Sequence, residues 1–321
     1  MQTLLSIVVP VYNEAQNLRP FYKELTTYAN DLPFDFEFIF IDDGSKDDSV
    51  GTLCDLAEQD KRVHIVQLAR NFGKEAAVSA GLHATKGAAA IIMDSDLQMP
   101  PSLMGKFISK WQAGSEVVVG VFASRNMSRV RATGAKVFYR IMRTISHTKI
   151  TPHATDYRLL DRQVIDVFND LPERNRITRG LIDWMGFERA YVPFEQAPRL
   201  HGNPTYDFRS LITLAMNSFT AYSLVPLKLA GYLGVVILLL SVPTGVFMFV
   251  ERFVLGDPFA IRGTAFLAIM TLFLVGVVLA CLGLMSLYIA HIHSEVIDRP
   301  LYIARRTVKP HDRRAERGTN V

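Results

Sequence analysis

Two stretches of this chain hold no charged residue: Leu229 to Val250, 22 positions, and Gly263 to Ala290, 28 positions. A bilayer core about 30 Å thick takes roughly 20 helical residues to cross, so each stretch is long enough to span. Only residues 251–262 separate them, too few for a domain, so the spans form a hairpin with both flanks on one side of the membrane. Lys228 precedes the first span, and Arg299, Arg305, Arg306, Lys309, Arg313, Arg314 and Arg317 follow the second. Basic flanks mark the cytoplasmic side. The net charge of +4 is modest. A basic tail directly after an apolar span suits an anionic membrane surface better than nucleic acid. The two cysteines, Cys54 and Cys281, fall in a polar half and inside a span, which argues against a disulfide and for a reducing compartment. The apolar run Leu4–Val11 has no basic leader and no small-residue cleavage site, so it reads as a buried strand and not a signal peptide.

The first 120 residues alternate. Apolar, β-branched runs occur at Leu5–Val11, Phe36–Ile41, Val63–Leu68, Ala89–Met93 and Glu116–Val121. Helix-compatible stretches lie between them at Glu14–Asn30, Asp47–Gln59, Lys74–Thr85 and Ser102–Ala113. Strands apolar on both faces, alternating with helices, predict an α/β domain whose mostly parallel sheet is covered on both sides. Ligands of such sheets bind beyond the carboxyl ends of the strands. Further on, a helix is expected over Ser128–Ile145, and 207–223 reads as a helix lying in the membrane interface before the first span.

Three predicted strands end in polar residues that should open onto one edge. The run Ile91-Ile92-Met93-Asp94-Ser95-Asp96-Leu97-Gln98 ends in two carboxylates one residue apart. Asp-x-Asp alone is common in solvated turns. At a strand end it suits Mg²⁺ or Mn²⁺, which bridge carboxylates to phosphate oxygens. Asp42-Asp43-Gly44-Ser45 is either an Asx turn capping the next helix or an acceptor for a nucleobase or ribose, and one aspartate can do each. Arg70-Asn71-Phe72-Gly73-Lys74-Glu75 places a glycine and two cations at a helix start, where a phosphate could sit. The incomplete Walker pattern argues against a P-loop nucleotidase. Asp156 has Arg158 two residues away as an ion-pair partner.

These motifs carry a family resemblance. Val8-Val9-Pro10-Val11-Tyr12-Asn13-Glu14, Ile41-Asp42-Asp43-Gly44-Ser45, Arg70-Asn71-Phe72-Gly73-Lys74-Glu75 and Asp94-Ser95-Asp96-Leu97-Gln98 occur in order. Asp156-Tyr157-Arg158, Pro172-Glu173-Arg174-Asn175 and Glu295-Val296-Ile297-Asp298-Arg299-Pro300 continue the set. Together they resemble the GT-A-fold family 2 glycosyltransferases, and within them the polyprenyl-phosphate (bactoprenol) glucosyltransferase subgroup, which is similar to dolichol-phosphate mannose synthase. The resemblance implies that Pro10, Tyr12, Glu14 and Asp43 hold base and ribose. It implies that Asp94 and Asp96 hold the metal, with Gln98 on the sugar diphosphate, and that Asp156 is the catalytic base. Lys74, Ser95 and Arg199 are counted with the donor, and Arg125, Arg158 and His201 with the acceptor phosphate. One family element departs: Arg199-Leu200-His201-Gly202-Asn203-Pro204-Thr205-Tyr206 has Pro204 and Thr205 where a hydroxyl residue and a phosphate-binding lysine normally stand.

The expectation is therefore a GT-A catalytic domain over residues 1–206, an interfacial region over 207–226, two transmembrane helices within 227–290 and a basic cytoplasmic tail over 291–321. The implied enzyme moves a hexose, glucose first, from a UDP-sugar to polyprenyl (undecaprenyl) phosphate with inversion. It uses Mg²⁺ or Mn²⁺ and sits in a bacterial inner membrane as a homo-oligomer, with catalytic domain and both termini cytoplasmic and no nucleic-acid partner. The competing readings are a GDP-mannose or UDP-amino-arabinose donor, a catalytically silent nucleotide-sugar-binding scaffold, and a processive synthase, for which two spans make a poor channel.

Overall fold

The computed structural model describes residues 2–123, 154–174, 176–195, 262–297 and 299–308, with isolated positions between 232 and 250. In chain order the elements are β1 (Leu4–Val11), α1 (Ala15–Asn30), β2 (Asp35–Asp42), α2 (Ser49–Gln59), β3 (Val63–Leu68), α3 (Lys74–Ala84), β4 (Ala89–Ile92), a 3₁₀ turn (Pro101–Leu103) and α4 (Met104–Gln112). There follow β5 (Val117–Phe122), β6 (Ala154–Asp161), α5 (Arg162–Asp170), α6 (Thr178–Met185), β7 (Arg189–Phe194), α7 (Arg262–Val296) and β8 (Ala304–Val308). The chain divides into two compact units, Met1–Pro204 with Arg299–Val321, and Thr205–Asp298.

The first unit is built on one sheet of eight strands in the order β7-β5-β6-β4-β1-β2-β3-β8. Its centre is buried on both faces, which is why β1, β2 and β4 are apolar at most positions on both sides. Successive side chains of β2 go to opposite sides. Phe38 and Phe40 enter one apolar cluster with Leu18, Phe21 and Leu25 of α1. Ile39 and Ile41 enter a second with Ala77 and Leu82 of α3 and Phe168 of α5. On α1 the buried residues recur at helical spacing, Leu18, Phe21, Leu25 and Ala29, giving one stripe toward the sheet. The buried carboxylate of Glu37, on β2 away from the strand ends that carry the motifs, is satisfied by the Ser6 hydroxyl and the Lys86 and Gly87 amides.

The sheet is mostly parallel, as expected, but mixed: β6 and β8 run against the other six strands. β1 pairs in parallel with β2 and β4, β2 with β3, and β5 with β7. β6, however, runs antiparallel between β4 and β5. Apolar content fixes burial but not direction, and β6 carries buried Tyr157, Leu159 and Leu160 like any central strand. Its end is fastened by Asp161, which caps α5 through the Gln163 amide at 2.9 Å and accepts the Trp111 indole N–H at 2.7 Å.

The expected basic tail also contributes structure. β8 lies inside the stretch predicted as tail, yet it pairs antiparallel with β3 as an edge strand. Just before it, Tyr302 packs on the second apolar cluster and its ring lies 6.2 Å from that of His83. In the second unit, α7 is one helix of 35 residues, running six residues past the expected end at Ala290. Its window Phe273–Ala290 has mean hydropathy 2.4 and none of it is buried. Most of the first predicted span, Leu229–Val250, lies outside the described residues, as do the helices expected at 128–145 and 207–223.

Phe40 is fully buried, with the rings of Phe21 and Tyr22 at 6.5 and 6.3 Å. Phe40→Ala should cost about 3–5 kcal/mol of stability. Val167→Ala on α5, at a position 39% exposed, should cost under about 0.5 kcal/mol. Thermal unfolding of the two full-length variants in detergent checks the contrast; equal melting temperatures would refute this assignment of the core.

Candidate active site

The loops after β1, β2, β3 and β4 meet at one edge of the sheet and enclose a cleft of about 250 Å³. Pro10, Tyr12, Glu14 and Asp43, expected from sequence at the base and ribose, all line it. So do Lys74, Asp94, Ser95 and Asp96, expected at the diphosphate and metal. Gln98 lies just beyond, its amide donating to Asp96 Oδ1 at 3.1 Å. Arg125, Arg199 and His201 fall outside the described residues.

Hydrogen bonds between loops hold this edge together. Asn13 adopts the left-handed region at φ 55°, which asparagine tolerates. From there its amide donates to Ser45 Oγ at 2.9 Å and its side-chain carbonyl accepts the Lys46 amide at 2.8 Å. Glu14 donates its amide to Ser49 Oγ at 2.9 Å. The loop after β1 is thus laced to the loop after β2. Asp42 makes the turn-forming bond of the simpler reading, accepting the Ser45 amide at 3.1 Å. Asp43 accepts the Phe72 and Gly73 amides at 2.7 and 2.9 Å. Those are the amides that the sequence offered to a phosphate at the start of α3, so Asp43 and not a ligand takes them. Gly44, at φ 68°, is what lets these loops touch: a Cβ there would lie 2.5 Å from the Arg70 carbonyl carbon. Burial pushes the Asp43 carboxyl above its ordinary value, against the two amides that favour its charge.

Strand register brings the second half of the site in. β6 is antiparallel to β4 with Ile92 opposite Arg158. Two residues on from Ile92 and two residues back from Arg158, Asp94 and Asp156 come to the same edge. Lys74, the first residue of α3, closes the gap, its Nζ 2.7 Å from Asp94 Oδ1 and 3.0 Å from Asp156 Oδ2. Arg179, in the first turn of α6, adds an ion pair from Nε to Asp156 Oδ1 at 2.7 Å. The ion pair expected between Asp156 and Arg158 does not form. Arg158 is 1% exposed and turns to Asp183 at 3.4 Å and to the Thr155 carbonyl at 3.2 Å. The two cations that Asp156 does use come from helices distant in sequence.

These pairings set the charge states. Burial works against the ammonium of Lys74, yet Asp94 and Asp156 outweigh it and hold its pKa above the usual lysine value. Burial would raise Asp156, but Lys74 and Arg179 prevail and keep its carboxyl below the ordinary range. For Asp94 burial prevails over Lys74 and pushes the carboxyl up, helped by the nearby charges of Asp156 and Asp96. Asp156 is therefore a fixed anion at neutral pH.

Arg179 and Glu75 were not found from sequence. Glu75 accepts both the amide and the hydroxyl of Thr178, the residue that opens α6, and so holds Arg179 beside Asp156. No spacing links residues 75 and 178; only the packing of α3 beside α6 does. Leu97 is left-handed at φ 61°, a strain of about 1–3 kcal/mol carried by the turn that presents Asp94 and Asp96.

Comparison with known proteins agrees with this architecture. The family model "Glycosyl transferase family 2" matches residues 6–168, from β1 into α5. An uncharacterised glycosyltransferase of Synechocystis is 38% identical over 300 residues, covering 93% of this chain and 94% of that one. The uncharacterised glycosyltransferase YkcC of Bacillus subtilis is 36% identical over 318 residues, 98% of both chains. The prophage-derived bactoprenol glucosyl transferase of Shigella flexneri is 36% identical over 304 residues, 94% of this chain and 98% of that one. The mixed, helix-covered sheet is the Rossmann-like GT-A arrangement, and the chain belongs to glycosyl transferase family 2.

Proposed function

We propose that the protein transfers a glucosyl residue from UDP-glucose to the phosphate of a long polyprenol at the cytoplasmic face of a bacterial membrane. The products are polyprenyl-phosphate glucose and UDP. The observation that carries this reading is the meeting of Asp43, Asp94, Asp96 and Asp156 at one sheet edge, with Lys74 between Asp94 and Asp156. The full-length likeness to a bactoprenol glucosyl transferase supports the lipid acceptor. So does α7, roughly 52 Å long at 1.5 Å per residue and apolar enough to cross a bilayer.

Pro10, Tyr12, Glu14 and Asp43 form the wall that would take uracil and ribose. Asp94 and Asp96 present an all-carboxylate set that fits a hard cation, and they would hold Mg²⁺ or Mn²⁺. That ion, when bound, supplies positive charge to the departing diphosphate. An acceptor phosphate is already an anion and needs no base to make it nucleophilic. Asp156, kept ionised by Lys74 and Arg179, holds those cations where the acceptor phosphate would lie and stabilises positive charge growing at the anomeric carbon. An acceptor phosphate oxygen bonds to that carbon as the carbon–oxygen bond to the diphosphate breaks on the opposite face, which inverts the centre. Arg179 is half exposed beside Asp156 and joins Arg125 and His201 as a cation for the acceptor phosphate. Arg158, buried against Asp183, serves instead to hold β6 to α6. A lipid acceptor and a soluble donor must meet at a bilayer surface, where holding both turns an encounter into a positioned reaction.

Purified full-length protein with Mn²⁺, radiolabelled UDP-glucose and polyprenyl phosphate should yield lipid-extractable label. Asp96→Asn and Asp156→Asn should each lower turnover by about 10²–10⁴-fold while the protein still inserts in membranes. Label transferred only from GDP-mannose or a UDP-amino-arabinose would replace the donor. Donor binding without transfer from any nucleotide sugar would replace the enzyme by a scaffold.

A pH profile gives a second check. The depressed pKa of Asp156 keeps it charged until the pH falls below the ordinary carboxylate range. Arg179→Gln removes one of the charges responsible, so the acid limb of kcat/KM should move to higher pH. An acid limb that stays in place would show that the ionisation of Asp156 does not limit the rate.

A further inference from the structure

Lys74 occupies a position that its neighbours define unusually tightly. On its amino side, Asp43 holds the amides of Phe72 and Gly73. On its carboxyl side, Glu75 is bonded to Thr178. The backbone is pinned before and after residue 74, so any movement belongs to the flexible four-carbon stem alone. The ammonium at its end straddles Asp94, at 2.7 Å from Oδ1 and 2.8 Å from Oδ2, and reaches Asp156 at 3.0 Å. Both oxygens of the first aspartate are therefore engaged by one monovalent charge. A divalent ion on Asp94 and an ammonium on the same two oxygens would lie within about 4 Å of each other, where like charges repel strongly in a low-dielectric cleft. Lys74 also lines the cleft, so its head group has open space to move into on the side of Ser95 and Asp96.

We infer that Lys74 is a resident cation that covers Asp94 in the donor-free protein and surrenders it when a divalent metal arrives, then turns toward the diphosphate while α3 stays fixed. The inference deepens the donor–metal reading above and rests on it. In the donor-free state Lys74 offsets the repulsion between Asp94 and Asp156, whose strands the register brings face to face. On metal binding the divalent ion takes over that task for Asp94. The released ammonium is then the one mobile cation, among the described residues, anchored between the metal side and the acceptor side of the site. Metal loading and donor grip become a single coupled event.

The test is direct Mn²⁺ binding to the full-length protein in detergent without nucleotide, read from the electron paramagnetic resonance signal of free Mn²⁺. Lys74→Met and Lys74→Gln should bind Mn²⁺ more tightly than wild type, on the order of tenfold, because a competitor for Asp94 has gone. Arg179→Gln is the comparison: it removes a charge from Asp156 equally but does not touch Asp94, and should change Mn²⁺ affinity much less. On the wild-type protein, acylation of Lys74 by an amine-selective reagent, followed by mass spectrometry, should rise when Mn²⁺ is added. Unchanged or weaker Mn²⁺ affinity in both Lys74 variants overturns the inference, as does an equal gain in Arg179→Gln or Mn²⁺-independent labelling. If wild type binds Mn²⁺ and transfers sugar while the variants behave so, the inference alone falls. Wild type that binds no Mn²⁺ even with UDP removes the metal reading together with it.

Discussion

The pairing of β6 with β4 is the constraint on which the site depends. Antiparallel register brings the start of one strand beside the end of the other, so Asp156 faces Asp94 although 62 positions separate them. Had β6 run parallel to β4, its first residues would lie at the far edge of the sheet. Asp156 would then be a strand's length from Asp94 and Asp96. The insertion of one reversed strand adds a carboxylate from β6 to an edge otherwise built from the loops after β1 to β4.

Two carboxylates placed face to face repel, and the fold answers with cations from helices. Lys74 comes from the start of α3 and Arg179 from the start of α6. Each helix start is held by an anion from elsewhere. Asp43 takes the amides before α3, and Glu75 takes the amide and hydroxyl of Thr178 at the start of α6. The charges that act on substrate are thus supported by other charges that do not, and removal of either kind would blur the site.

The edge strand β8 ties the segment after the long apolar helix to the catalytic sheet. Arg305 and Arg306 belong to it, and the sequence assigned this stretch to a basic tail suited to an anionic membrane surface. The segment lies in a strand because β3 offered an unpaired edge, and backbone hydrogen bonding there outweighs the charge of the exposed Arg305. Neither the strand β6 nor its reversed direction was expected from the sequence, because its role depends on pairing between β4 and β5.

Local chemistry made much of the protein legible. The apolar runs marked five strands to within a residue or two, because a strand buried on both faces has no polar alternative. The polar residues after them marked the donor side, because parallel strands separated by helices must end at the same edge. Pro10, Tyr12, Glu14, Asp43, Lys74, Asp94, Ser95 and Asp96 could accordingly be named from spacing and resemblance and found around one cleft. The uncharged length of 28 residues marked an apolar helix long enough to cross a bilayer for the same kind of reason, since length and apolarity are properties of the chain itself. What tertiary structure alone decided was the partnership of charges: Asp156 with Lys74 and Arg179 in place of Arg158, Asp43 with the backbone of another loop, Glu75 with Thr178. Such partnerships arise from strand direction and helix packing, which bring together residues tens of positions apart. Ion pairing is set by distance in space, and no periodicity along the chain encodes it.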